Sequence, residues 1–179
     1  MSPAMLNLKP IVRRILEDYT LPWDGIHGVS HWARVLENGL RLAQVTGANI
    51  AVVELFAVFH DSCRVNEAVD PGHGQRAADL AAELRGNLLH LPVADFRLLY
   101  EACVCHTDGG TDADITIQTC WDADRLDLGR VSMVPDPKKL CTPAAKRPET
   151  LKWADGRGAF QTIPEIISRE WGIDTRGWD

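Results

Sequence analysis

The segment at 50–60 is apolar almost all round and runs directly into the pair His60–Asp61. A helix that lacks a polar face is a central, buried helix. The β-branched residues would also suit a buried strand, but the segment continues into polar, helix-compatible residues and no partner strands are evident elsewhere. We therefore predict a central helix over 50–60 and an all-α fold packed around it.

The rest of the chain up to about residue 130 has helical periodicity, interrupted by Gly and Pro. Ser30 is the predicted N-cap of the second helix and Gly47 its end. The whole is predicted to be a compact bundle of about six to seven helices. The predicted helices, besides the central one, cover residues 5–19, 31–46, 74–84, 93–105, 117–128 and 164–171.

The composition changes after Ser132, where prolines punctuate a basic stretch. We interpret 1–132 as a helical metal-binding domain. Residues 133–179 are interpreted as a loop-rich, Pro-rich basic appendage packed on the same domain, not as a second domain.

Charge and cysteine usage narrow the possible partners. With 19 Lys and Arg against 25 Asp and Glu, the net charge is −6, which argues against a binder of nucleic-acid polymers. A small phosphorylated substrate remains compatible, because a bound cation can supply positive charge. No apolar stretch approaches the roughly 18 residues of a membrane helix. The five cysteines form no CxxC pair, so we expect reduced thiols, a cytoplasmic location and no membrane partner.

Four polar residues occur where the pattern predicts burial. His60 and Asp61 end the central helix, His31 opens the second helix, and Asp124 lies between apolar neighbours. A buried Asp is rare unless it is paired or bound to a metal. Two imidazoles and two carboxylates suit Fe, Mn, Zn, Co or Ni. Alternatively, His60 simply caps its helix and Asp61 begins the next loop.

The motifs "SHWARV", "FAVFHDSCR" and "DADRLD" together resemble the HD superfamily of metal-dependent phosphohydrolases, whose pattern is a His, a His-Asp pair and a distant Asp. The resemblance covers about residues 27–130 and implies an HD-domain-like fold. It implies that His31, His60, Asp61 and Asp124 bind a divalent metal. The Asp directly before Arg-Leu has this role in the family, so it is carried to Asp124 and not to Asp122.

His73 in "DPGHGQRAA" and His106 in "CVCHTDGG" are similar to histidines that bind a second metal in some HD branches, including bacterial diadenosine tetraphosphate hydrolases. The resemblance thus implies one or two divalent ions (Mn, Fe, Co, Ni, Zn or Mg). Two neighbouring ions would clamp a phosphoryl group. Alternatively, either histidine is a loop residue in solvent.

Arg64 follows Asp61 by three residues, where members of the family often carry Lys, Arg or Glu. A guanidinium there could hold a substrate phosphate, helped by part of the basic segment at 138–147. The alternative is a solvated cation beside Glu67.

Other residues receive weaker predictions. We expect His27 to be a loop residue rather than a partner of the metal ligands, and His90 to be structural. The motif Cys103-x-Cys105-His106 lacks a second Cys/His pair with zinc-ribbon spacing, so we interpret these cysteines as core residues. Asp122 and Asp127 are candidates to orient ligating histidines, or are ordinary surface carboxylates.

These residues favour hydrolysis of a phosphate ester in a nucleotide or another small phosphometabolite. A metal-activated water would attack, with Asp61 orienting or deprotonating it and Arg64 neutralising the phosphate. Two alternatives stay open: a di-iron oxygenase of the same fold acting on a polyol or phosphonate, and a nucleotide-binding module without turnover. The ligand residues do not separate the first two functions, and the complete ligand set weighs against the third.

Overall fold

Helix α3 (Ile50–Phe59) is the central helix of the computed structural model, which describes residues 5–178. It begins after Asn49, whose side chain accepts a hydrogen bond of 3.3 Å from the backbone N–H of Val52. Every residue from Val52 to Phe59 is buried. The helix packs against the helices at 29–46, 93–105 and 115–125. The prediction of a buried central helix is confirmed.

The remaining helices surround α3, and the described residues contain no strand. The prediction of an all-α fold is therefore confirmed. Short 3₁₀ helices at Leu128–Val131 and Pro137–Lys139 connect the later elements. The other α-helices are α1 (Lys9–Asp18), α2 (Val29–Thr46), α4 (His73–Leu84), α5 (Val93–Cys105), α6 (Ile115–Arg125), α7 (Pro148–Ala159) and α8 (Ile166–Arg169).

Helix α2 begins two residues earlier than predicted, so Ser30 is not its N-cap. Gly28 has that position, and the N–H of Val29 donates to the carbonyl of Trp23 at 2.7 Å. A Cβ on Gly28 would lie 2.2 Å from this same carbonyl oxygen. The loop before α2 is therefore tightly closed, and this closure determines that the helix begins at Val29. The preference of Ser for the N-cap position does not predict it.

Helix α1 is shorter than predicted, because Pro10 lies in its first turn and residues 5–8 are not helical. Proline favours exactly this first-turn position, where its missing N–H has no helical partner to lose. Helix α6 is shifted by two to three residues, since Asp114 caps it through a 2.8 Å bond to the N–H of Thr116.

The segment after residue 132 is less loop-rich than predicted, because it contains the twelve-residue helix α7. Pro148 opens this helix, whereas the sequence pattern treats it as a loop signal. Buried Leu140, Ala145 and Ala154 pack with Leu42 and Leu126 of the helical body. The division of the chain at residue 132 stays a prediction.

None of the described helices has the length and apolar character that a membrane crossing requires.

Candidate metal centre

Four buried histidines converge from the ends of four helices. His31 lies in the first turn of α2, His73 begins α4, and His60 and His106 directly follow α3 and α5. Each ring has its Nδ1 within hydrogen-bond distance of an acceptor. The acceptors are the Asp127 carboxylate for His31 (2.7 Å), the Ala57 carbonyl for His60 (3.1 Å), the Asp70 carbonyl for His73 (2.6 Å) and the Cys103 carbonyl for His106 (2.7 Å). These contacts orient all four Nε2 atoms toward one another.

The first group consists of His31, His60, Asp61 and Asp124. The Nε2 atoms of His31 and His60 are 3.0 Å apart. Asp124 Oδ1 lies 3.3 Å from His31 Nε2 and 3.7 Å from His60 Nε2. Asp61 Oδ2 lies 3.5 Å and 3.8 Å from the same two nitrogens. His31, His60 and Asp124 thus form one group of close donors, and Asp61 Oδ2 adjoins both of its histidines.

The second group consists of Asp61, His73 and His106. The Nε2 atoms of the two histidines are 2.9 Å apart, and Asp61 Oδ1 lies 3.2 Å and 3.6 Å from them. Gly74 permits this approach, because a Cβ there would lie 2.3 Å from the Cys103 carbonyl oxygen and 3.2 Å from the His106 ring. Neither histidine is a solvent-facing loop residue.

Asp61 joins the two groups through different oxygens of one carboxylate, Oδ2 toward the first and Oδ1 toward the second. The Asp61 carboxylate could therefore contribute one ligand atom to each group. Asp61 is 2% exposed, and its nearest partners are histidines, His27 at 2.7 Å, whereas Arg64 Nη1 lies 3.6 Å away.

The donor spacing fits a divalent transition metal in each group. Two donor atoms that lie about 2.1 Å from one ion and subtend 90–110° are about 3.0–3.4 Å apart. The separations that involve His31 or His60 in the first group are 3.0–3.8 Å, and those within the second group are 2.9–3.6 Å. The mixed nitrogen and oxygen donors suit Mn, Fe, Co, Ni or Zn better than Ca.

The electrostatics of both groups favour a positive charge. Burial alone would raise the pKa of Asp61, but the surrounding histidines, His60 first, hold it well below its usual range. Burial would also lower the pKa of His31, yet its hydrogen bonds to carboxylates raise it to about 9. Burial lowers the pKa of His60 to about 3. In the protein without metal, the carboxylates therefore stabilise a protonated His31 beside a neutral His60. The same negative charge would stabilise a metal cation at this place.

Arg64 is buried against the second group and is not a solvated cation beside Glu67. Its Nη1 lies 3.3 Å from His73 Nε2 and 3.6 Å from Asp61 Oδ1. Its other nitrogens donate to the carbonyls of Asn66 and Ala68. The guanidinium is thus fixed beside the candidate metal centre.

His27 belongs to the site, contrary to the sequence-based expectation. Its Nδ1 is 2.7 Å from Asp61 Oδ2, and its backbone carbonyl accepts hydrogen bonds from Tyr19 and Trp32. Because His27 lies in the loop before α2, helical periodicity gave no signal for it. Its separation from His31 by four residues was the one available hint.

Of the two carboxylates predicted to orient ligands, only Asp127 does so. It accepts hydrogen bonds from His31 Nδ1 and from Arg34 Nε, at 2.7 and 2.8 Å. Asp122 instead accepts from the backbone N–H groups of Cys141 and Thr142, at 2.6 and 2.8 Å, and so holds the C-terminal segment on α6. His90 is exposed and lies outside the site.

A cavity of about 1150 Å³ opens over both groups. Its lining includes Asp61, His73, His106 and Asp124 together with five cationic side chains. These cations are Arg64, Arg125, Arg130, Lys138 and Lys139. Of the predicted basic segment only Lys138 and Lys139 line the cavity, because the chain turns away before Lys146 and Arg147.

The comparisons with known proteins found similarity to a solved structure. No protein-family model matches the chain, and no curated protein sequence matches it. Its fold is similar to the crystal structure of a predicted HD superfamily hydrolase from an uncultured Thermotogales bacterium, with a TM-score of 0.61 and 27% sequence identity. The match covers 90% of this chain and 88% of that chain. This likeness and the His/Asp groups support a metal-dependent hydrolase in general.

Proposed function

We propose that this protein is a metal-dependent phosphohydrolase that cleaves a phosphate ester of a nucleotide or another small phosphometabolite. One observation carries the proposal. Two groups of metal-type donors share the Asp61 carboxylate at the floor of a cavity whose wall includes Arg64, Arg125, Arg130, Lys138 and Lys139. Glu67, Asp70, Asp108 and Asp136 also line the cavity, but the restrained cations Arg64 and Arg130, together with donors for a metal cation, suit a ligand that is itself anionic.

In this proposal His31, His60 and Asp124 would hold one divalent ion, His73 and His106 would hold a second, and Asp61 would be a ligand in both groups. Such ions would supply an acidified water molecule and neutralise phosphate charge. Asp61 would orient the attacking water. His27 donates to Asp61 Oδ2 and so fixes the carboxylate plane that both groups share.

Arg64 is the proposed phosphate-binding side chain. Its guanidinium is positioned by the Asn66 and Ala68 carbonyls, so that Nη1 faces the metal centre and the cavity. A fixed cation beside the reacting phosphoryl group stabilises the negative charge that develops there. Arg130 is also restrained, by the carbonyls of Ile26 and Asp127, whereas Lys138 and Lys139 are exposed at the cavity mouth.

The test is phosphate release from a panel of nucleotides and small phosphate esters, with protein stripped of metal and reloaded separately with Mn, Co, Ni, Zn, Fe or Mg. Turnover with Zn, or with Mn under anaerobic conditions, is the expected result. The variant Asp108→Asn should keep full turnover, because Asp108 lines the same cavity but is exposed. It is therefore the control for variants of the buried cavity residues. Turnover that occurs only with iron and oxygen would identify an oxygenase instead. Tight nucleotide binding without turnover under any condition would identify a binding module.

A further inference from the structure

Glu67 is a cavity-lining carboxylate that the proposed reaction does not use. It lies in the loop between α3 and α4 and lines the same cavity as Asp61 and Arg64. Its Oε2 is buried, and within 5–178 no group donates a hydrogen bond to it. Buried carboxylate oxygens normally have a donor, so an orphaned one beside a cavity points to a ligand.

Arg64, the cationic residue nearest to Glu67 in the sequence, does not donate a hydrogen bond to Glu67. Arg64 donates to the carbonyls of Asn66 and Ala68, on either side of Glu67, and directs Nη1 to Asp61 and His73. Tyr19 does not serve either, since its hydroxyl donates to the carbonyl of His27. The nearby donors are therefore committed elsewhere.

The backbone makes room for this side chain at Gly25. A Cβ on Gly25 would lie 2.2 Å from Glu67 Oε1 and 3.0 Å from the carbonyl oxygen of Pro22. Any other residue at position 25 would displace the Glu67 carboxylate from the wall. The close fit holds the carboxylate in a defined place without neutralising it.

The other carboxylates of the cavity wall, unlike Glu67 Oε2, have hydrogen-bond donors or are exposed to water. Asp70 pairs with Arg76 at 2.8 Å and accepts from the N–H of Val65. Asp136 caps the 3₁₀ helix through Lys138 N–H. Asp108 is exposed to water. Outside the metal centre, Glu67 is thus the cavity carboxylate with a buried oxygen that a ligand could satisfy.

We propose that Glu67 is a specificity-determining residue for the part of the substrate that leaves the phosphate. It accepts a hydrogen bond from an ammonium, N–H or O–H group on that part, and it disfavours substrates with a second anionic group there. This inference rests on the proposed function, because the phosphate at the metal centre directs the other half of the substrate along the cavity wall. The substrate class is therefore a phosphomonoester of a donor-bearing alcohol.

The test uses phosphonates, whose C–P bond does not hydrolyse, with anaerobic Mn-loaded protein and calorimetric binding measurements. The three kinds of ligand differ in one group. Ethylphosphonate has neither a donor nor a second anion, ω-aminoalkylphosphonates of two to four carbons add an ammonium donor, and phosphonoacetate adds a carboxylate. We expect the best aminoalkylphosphonate to bind about 10–100-fold more tightly than ethylphosphonate, as for a hydrogen bond to a charged group, and phosphonoacetate to bind more weakly. Glu67→Gln should reduce both ratios to about twofold or less, since it keeps the shape and removes the charge. Asp108→Asn should leave them unchanged.

Thermal unfolding of the ligand-free variants gives a second readout. If Glu67 serves a ligand, Glu67→Gln should keep the unfolding midpoint, and Glu67→Met should keep it or raise it by about 2–4 °C, because methionine removes the buried oxygen that has no donor. A drop of several degrees in both variants would assign Glu67 a structural role. Equal binding ratios in the native protein and Glu67→Gln would also overturn the inference, while leaving the hydrolase intact. If no phosphonate binds, the proposed function itself is wrong and the inference falls with it.

Discussion

The two groups of the candidate metal centre share Asp61 but are supported in different ways. In the first group, His31 is held by Asp127, which in turn accepts a hydrogen bond from buried Arg34. In the second group, His73 and His106 are held by carbonyls three residues earlier in their own segments. His60 is held by the Ala57 carbonyl in the same way, so it is His31 that makes the first group depend on a charged network, which joins α2 to the segment after α6. The second depends on local backbone geometry.

Because of this difference, we expect the two groups to bind an ion with different affinities. A carboxylate that accepts the Nδ1–H of a ligand histidine increases the basicity of Nε2 more than a neutral carbonyl does. The first group also has four donor residues, whereas the second has three and lies beside the positive charge of Arg64. We expect the ion of the first group to be tight and that of the second to be more easily exchanged.

The largest effect is expected for Asp61→Asn, which alters the residue that both groups share. Both ions should be lost or weakened together, and phosphate release should fall by about 10³-fold or more, because bound metal supplies several kcal/mol of transition-state stabilisation. Metal content by elemental analysis and turnover on the same sample check this. A variant that retains two ions and activity would show that Asp61 does not bridge.

His106→Ala should remove ion binding from the second group alone. The donor contacts of His106 are to Asp61 Oδ1 and His73 Nε2, and only its ring packs edge-on against His60. One ion per chain should therefore remain, held by His31, His60 and Asp124. Activity should fall by roughly 10²-fold if two ions clamp the phosphoryl group. Loss of both ions would contradict the independence of the two groups.

Asp127→Asn should weaken the first group without removing a ligand. We expect a 10–100-fold loss of affinity for the tighter ion, the usual effect of altering a partner of a metal-bound histidine. Asp122→Asn is the control, because Asp122 is buried like Asp127 but lies on α6 and contacts the C-terminal segment. An equal loss of metal in both variants would indicate general destabilisation.

Arg64→Ala tests whether the cation beside the second group acts on substrate. We expect kcat/KM for phosphate esters to fall about tenfold, as for loss of a charge-assisted hydrogen bond. Metal content should not decrease, since a positive charge near the second group opposes ion binding there. Unchanged kinetics would remove Arg64 from the proposed phosphate site.

The smallest effect concerns protons. The pKa of His31 is raised from 6.5 to about 9 in the protein without metal, so its imidazole is protonated at pH 7.5. An ion that needs this imidazole must displace the proton, and binding to the first group should release about one proton at pH 7.5. The release should vanish, and the affinity level off, as pH rises through about 9. Calorimetry in buffers of different ionisation enthalpy measures this, and a constant release above pH 9 would contradict it.

Sequence reasoning worked best where a polar residue interrupts an apolar helical pattern. His60 and Asp61 follow the most buried helix, and α5 was predicted with its observed bounds. It failed where local signals are ambiguous: Pro148 was interpreted as a loop signal but opens α7. It also missed His27 and Glu67, because both lie in loops, where only the tertiary fold brings them to the cavity. Their positions depend on contacts distant in sequence.

We propose that two neighbouring ions share Asp61. Anomalous diffraction from crystals of Mn-loaded protein tests this proposal, since it locates each ion independently of activity. We expect two peaks, one among His31, His60 and Asp124 and one between His73 and His106, with the Asp61 carboxylate between them. A single peak, or ions bound away from Asp61, would contradict it.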